Sequence, residues 1–153
     1  MLIFTDTGAD LPKEYYEEAN VIPFPLSVEI DGATYQDVFE MDGPTLYEAI
    51  KNGAQPKTSQ VSPETFLTAF EAAAKAGEES IYISFSGALS GTYSTAVMIR
   101  NQVLETYPDM KLYTVDSKCA SFAQGLVIKE AVRLRDEGKS VEEVVAAVEA
   151  YAS

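Results

Sequence analysis

Two rhythms alternate along the chain: short apolar runs, and longer stretches in which apolar positions return every three or four residues. Leu2-Ile3-Phe4 runs into the polar stretch Thr5 to Asp10, the pattern of a short buried strand that hands over to a loop. Leu11-Pro12 opens a helix to about Ala19. Ile22 to Ile30 reads as a second strand, and Asp31-Gly32 as a two-residue turn into a third at Ala33-Thr34-Tyr35. Asp42, Pro44 and Gly53 mark the start and stop of another helix, and Gly53 to Gln60, polar and broken by Pro56, reads as loop.

From Ser62 onward the signals are denser. Ser62-Pro63-Glu64 supplies an N-cap, a proline at the first helical position and an acid in the first turn; Phe66, Phe70, Ala73 and Ala74 follow at helical spacing, which predicts a helix over 62–76. Ser80 to Phe85 has the character of a buried strand, Ser86 to Gly91 of a Gly/Ser loop, and Thr92 to Thr106 of a helix. Lys111 to Asp116 repeats the strand pattern and ends in Asp116-Ser117-Lys118, before a helix from about Ser121 to Glu137 that Gly138 stops. Ser140-Val141-Glu142-Glu143 is a capping box, and Val141, Val144, Val145, Val148 and Tyr151 form one apolar stripe on the last helix. Strands alternating with helices predict an α/β fold: a mostly parallel sheet flanked by helices on both faces, with functional loops at the strand C-termini. The final stripe either packs on this domain or meets something beyond it.

Composition narrows the partners. At 153 residues the chain suits one domain, and 46% hydrophobic against 23% charged residues is a globular balance. No apolar run approaches the ~18 residues of a spanning helix, so no membrane span is expected. Twenty-four acidic against 11 basic residues give a net charge of -13, which repels phosphate backbones and argues against nucleic acid. Asp6 and Asp10 interrupt the place where a signal peptide would be apolar, and the single Cys119 cannot form an internal disulfide; a cytoplasmic protein is expected. There is no histidine, which removes the commonest general base and the commonest zinc ligand together.

Asp6-Thr7-Gly8 is the string that carries the catalytic aspartate of pepsin-like proteases, but such a site needs two facing copies on an all-β protein. One copy among several helices reads instead as a turn after the first strand. Three other segments share a richer pattern: Lys57-Thr58-Ser59-Gln60, Ser86 to Thr92, and Asp116-Ser117-Lys118 each place hydroxyls on a predicted loop beside a helix start. Unpaired N–H groups, the helix dipole and close approach at glycine suit such loops to an anion, although helix capping alone accounts for any one of them. Neither a Walker loop nor Gly-x-Ser-x-Gly is present, since Gly87-Ala88-Leu89-Ser90-Gly91 has one residue too many before the serine. Ser90 lacks a histidine base, and Asp6, Asp10 and Asp116 are explained by caps and turns as well as by magnesium; no metal and no cofactor are expected.

Thr5-Asp6-Thr7 with Asp10-Leu11-Pro12, Pro25-Leu26-Ser27-Val28, Thr58-Ser59-Gln60 with Ser62-Pro63, Leu89-Ser90-Gly91-Thr92-Tyr93, and Asp116-Ser117-Lys118 occur in this order from residue 5 to about 125. In this the chain resembles the DegV family of bacterial fatty-acid-binding proteins. The resemblance implies that family's α/β fold and a protein that holds a long-chain fatty acid. In some members it also implies presentation of the acid to a fatty acid kinase, with no bond-making by the binding protein itself. It implies that Thr58 and Ser90 bind the carboxylate; Ser59, Gly91 and Thr92 join them as neighbours on the same loops. Thr7 stands where the family has serine, Val61 where proline is common, and Phe122-Ala123 where a pair with glycine is common. Family members continue into a second domain that covers the acyl chain and supplies a histidine. Residues 1–153 are accordingly expected to form one lipid-binding lobe, the second domain being absent from this chain, with the stripe of the last helix exposed to a partner lobe or a dimer mate. The alternative is a small-molecule phosphotransferase or hydrolase on the same fold, and a third class is an interaction subunit that docks through its acidic face and last helix.

Overall fold

The computed structural model describes residues 1–6, 12–24, 27–30, 33–36, 57–59, 61–84, 92–116 and 121–152. The apolar runs become strands: β1 (Leu2–Asp6), β2 (Val21–Phe24), β6 (Ser80–Ser84) and β7 (Leu112–Asp116) form a parallel sheet in the order β2-β1-β6-β7. Between β2 and β6 come β3 (Ser27–Ile30), β4 (Ala33–Gln36) and β5 (Lys57–Ser59), which form a separate antiparallel sheet in the order β4-β3-β5. Five helices are described: α1 (Lys13–Ala19), α2 (Pro63–Ala76), α3 (Thr92–Thr106), α4 (Ser121–Asp136) and α5 (Val141–Ala152).

Side-chain alternation splits the core in two. Phe4, Phe24, Tyr82 and Leu112 face α2 and α3, where they meet Phe66, Phe70, Ile99 and Val103. Ile3, Val21, Ile81, Ile83 and Val115 face α1, α4 and α5, meeting Tyr16, Val127, Ile128 and Val144. The sheet therefore has helices on both faces, and its central strands β1 and β6 are short and apolar because they are buried on both sides.

Three sequence expectations change. Ile22 to Ile30 is two strands in different sheets, not one; Pro25, which has no N–H to give a ladder, falls between them, and Pro23 is tolerated because β2 is an edge strand of the parallel sheet. The loop expected over Gly53 to Gln60 contains β5, since Lys57, Thr58 and Ser59 pair with Glu29, Val28 and Ser27. Most of the stripe of the last helix packs on this domain: Val141, Val144 and Val148 are wholly buried against the sheet and α4, and Val145 is partly buried there. Lys111 holds the start of that helix down by bridging Glu142 at 2.9 Å and Glu79 at 3.6 Å. The Asp31-Gly32 turn and the helix expected between Asp42 and Gly53 lie outside the described residues, although Ile30 pairs with Ala33 as such a turn requires.

Candidate functional site

The chain leaves β1 for β2 on one side and later returns to β6 on the other, so the winding reverses between β1 and β6. In open α/β sheets ligands bind outside the strand C-termini at such a point. Register sets a row there: Asp6 lies opposite Phe24 on β2, and Ser84 opposite Asp116 on β7. Asp6 and Ser84 are wholly buried, and alternation turns both toward the α2/α3 face. Tyr82 Oη donates to Asp6 Oδ2 at 2.8 Å, Ser84 Oγ donates to the same oxygen at 3.4 Å, and Thr5 Oγ1 donates to the Ile83 carbonyl at 2.9 Å. Burial, with the neighbouring Asp6 charge second, pushes the Tyr82 phenol well above its ordinary range, so this hydroxyl is a donor and not a base.

Two helix N-termini reach the same edge. Ser62 caps α2, its Oγ accepting from the N–H of Thr65 at 3.2 Å, with Pro63 in the first turn. Thr92 begins α3, is wholly buried, and accepts the N–H of Val61 at 3.4 Å. That bond brings the segment after Thr58-Ser59 against the segment after Ser90-Gly91. Because α2 and α3 pack side by side, the positive ends of two helix dipoles adjoin there. A surface cleft of ≈ 480 Å³ opens beside it, with Phe24, Ser62, Glu64 and Thr65 in its wall. A second cleft of ≈ 450 Å³ lies at the other end of the sheet against Gly77, Tyr107 and Lys111, where helices end rather than begin, and carries no anion-binding geometry.

The five expected binding residues are placed unevenly. Thr58 and Ser59 have strand backbone in β5, and Thr92 opens α3 with its hydroxyl on Val61; Ser90 and Gly91 lie outside the described residues, as do Thr7, Asp10, Ser117, Lys118 and Cys119. Asp6 and Asp116 end β1 and β7, which β6 separates, and, among the described residues, no three His, Cys, Asp or Glu converge as a metal site would need. Also among the described residues, no helix is long and apolar enough to cross a membrane. Sequence reasoning missed Tyr82 and Ser84. The signal was present in Ser80-Ile81-Tyr82-Ile83-Ser84, where polar atoms occupy alternate positions and so share one face of a strand that reads as simply buried.

The sequence model described as "Uncharacterised protein, DegV family" matches residues 1–153. A DegV domain-containing protein of Clostridium perfringens is 37% identical over 150 residues, 97% of this chain and 52% of the relative. The crystal structure of a stearic-acid-binding protein from Eubacterium ventriosum superposes with a TM-score of 0.88 at 31% identity, covering 97% of this chain and 52% of that one. The fatty acid kinase B3 protein of Streptococcus pneumoniae, loaded with linoleic acid, gives a TM-score of 0.77 at 27% identity, covering 99% and 54%. The chain thus spans about half the length of the relatives it matches.

Proposed function

This chain belongs to the DegV family, and from that premise we propose that it holds a long-chain fatty acid by its carboxylate and presents it, in the cytoplasm, to a fatty acid kinase. Thr58 and Ser90 contact the carboxylate in this reading, Ser59 and Gly91 flank it, and Thr92 keeps the two segments together. The observation that carries it is the Val61–Thr92 hydrogen bond, three positions after Thr58 and two after Ser90, at adjoining helix N-termini. Support for the ligand class comes from the relatives that bind stearic and linoleic acid, and for the kinase from the likeness to a fatty acid kinase B3 protein.

The energetics divide the work between head and tail. Taking a carboxylate out of water costs several kcal/mol; each charge-assisted hydrogen bond returns roughly 1.5–3 and a favourable helix end up to ~2, so the head group about breaks even and supplies orientation. A tail of about fourteen methylenes at ~0.8 kcal/mol each contributes about 11 kcal/mol when fully covered. The net charge of -13 does not oppose this, because its field is screened over about 8–10 Å whereas the hydrogen bonds act at contact. Ser90→Ala tests the reading: stearate binding is expected to weaken more than binding of methyl stearate, and equal losses for the two ligands would remove the carboxylate assignment.

A further inference from the structure

Among the described residues the buried polar set is Thr5, Asp6, Ser80, Ser84 and Thr92, and Asp6 is the one carboxyl in it. Burying a carboxylate is costly unless it is well bonded, and asparagine in its place would avoid the charge. Packing therefore does not explain Asp6. Its position does: it is the last residue of β1, level with Ser84, the last residue of β6, across the reversal of winding. Its Oδ2 takes two hydrogen bonds from β6, one from Tyr82 and one from Ser84, while Thr5 grips the Ile83 carbonyl. The Tyr82 ring is in turn locked among Phe24, Phe66 and Phe70, at centroid separations of 5.8, 5.1 and 6.4 Å. Asp6 thus connects a rigid aromatic core to the end of the strand from which the chain runs on to Ser90. Two hydrogen bonds to one charged oxygen are directional and fix an angle that apolar contacts would leave free.

We propose that Asp6 is a positioning residue for carboxylate recognition, setting through Tyr82 and Ser84 where β6 ends relative to the N-termini of α2 and α3. The inference rests on the fatty-acid reading above. Asp6 does not touch the ligand; it acts by holding the strand end that leads to the ligand's hydroxyl donor.

Asp6→Asn and Tyr82→Phe variants of the 153-residue chain, compared by equilibrium dialysis with stearate and with methyl stearate, test this role. Each variant is expected to lose about tenfold or more in stearate affinity, the worth of one hydrogen bond to a charged group, with methyl stearate affinity changed less than about twofold. A merely structural role lowers both ligands alike and would overturn the inference, as would an unchanged ratio of the two affinities. Should Asp6→Asn fail to fold, Tyr82→Phe, which deletes one hydroxyl and keeps the ring, is read by the same ratio. If the unsubstituted chain binds neither ligand, the fatty-acid reading falls and takes the inference with it. If the unsubstituted chain prefers the acid and both variants keep that preference, only the inference falls.

Discussion

Val61 and Thr92, 31 positions apart, are joined by a hydrogen bond in which the Val61 N–H donates to the Thr92 hydroxyl oxygen inside the protein. Helix packing brings α2 and α3 alongside one another, and this bond ties the segment before α2 to the first residue of α3. Thr92→Val keeps the side-chain shape and removes the acceptor. The cost of leaving a buried N–H without it is about 1–2 kcal/mol, or a fall of roughly 3–8 °C in Tm for a domain of this size. Thr92→Ser, which keeps the oxygen, should fall less. A Thr92→Val protein melting at the unsubstituted temperature would show that the bond does not hold the two ends together.

Tyr82 gives the protein an alkaline limit. Its phenol is raised by burial and by Asp6, so the folded state holds this proton more tightly than the unfolded state, whose tyrosine titrates near 10.0. The stability it contributes is fully present below that value and is lost as pH rises toward the folded-state pKa, by at most about 1.4 kcal/mol per pH unit. Urea unfolding from pH ~9 to ~11 should show this extra slope, and Tyr82→Phe should lack it. The same slope in both proteins would assign the alkaline loss to other groups.

How far the sequence showed these features depended on the range of the interactions behind them. Ser62 and Pro63 are local signals, and α2 begins where they predict; Gly77 closes it at φ +70°. Ser140 likewise caps α5, accepting the Glu143 N–H at 3.2 Å. The Asp6–Ser84–Asp116 row was not legible, because it depends on the register of strands far apart in the chain. Neither was the break between Phe24 and Ser27, since Val21–Phe24 and Ser27–Ile30 both read as strand and only the separation into two sheets distinguishes them. The stripe Val141, Val144, Val148 announced a buried face without saying what buries it; the partners are Ile81, Ile83 and Ile128 of the same domain.

That correction has its own consequence. Val144→Ala should cost roughly 1.5–3 kcal/mol, the lost methyl groups plus the space they leave. Val148→Asp should unfold the protein or lower its Tm sharply, because the carboxylate has no water to reach. If the stripe were instead an interface between copies, Val148→Asp would leave the Tm in place and change only the mass seen by light scattering.

The face of the sheet behind the candidate site is filled by its own side chains. Phe66 and Phe70 are wholly buried, and Phe4 stacks on Phe24 with ring centroids 5.2 Å apart, so this core is packed with rings and offers an acyl chain its edge rather than its interior. Within the fatty-acid reading, much of the tail's cover must then come from elsewhere. Leaving about seven methylenes in water forfeits about 5–6 kcal/mol, which predicts stearate binding by residues 1–153 alone to be weaker by roughly 10⁴-fold than that of a relative about twice as long. Titration calorimetry of this chain beside the stearic-acid-binding protein of Eubacterium ventriosum measures the difference directly. Comparable affinities would mean that these residues cover the tail themselves, and that the aromatic face opens when the ligand arrives.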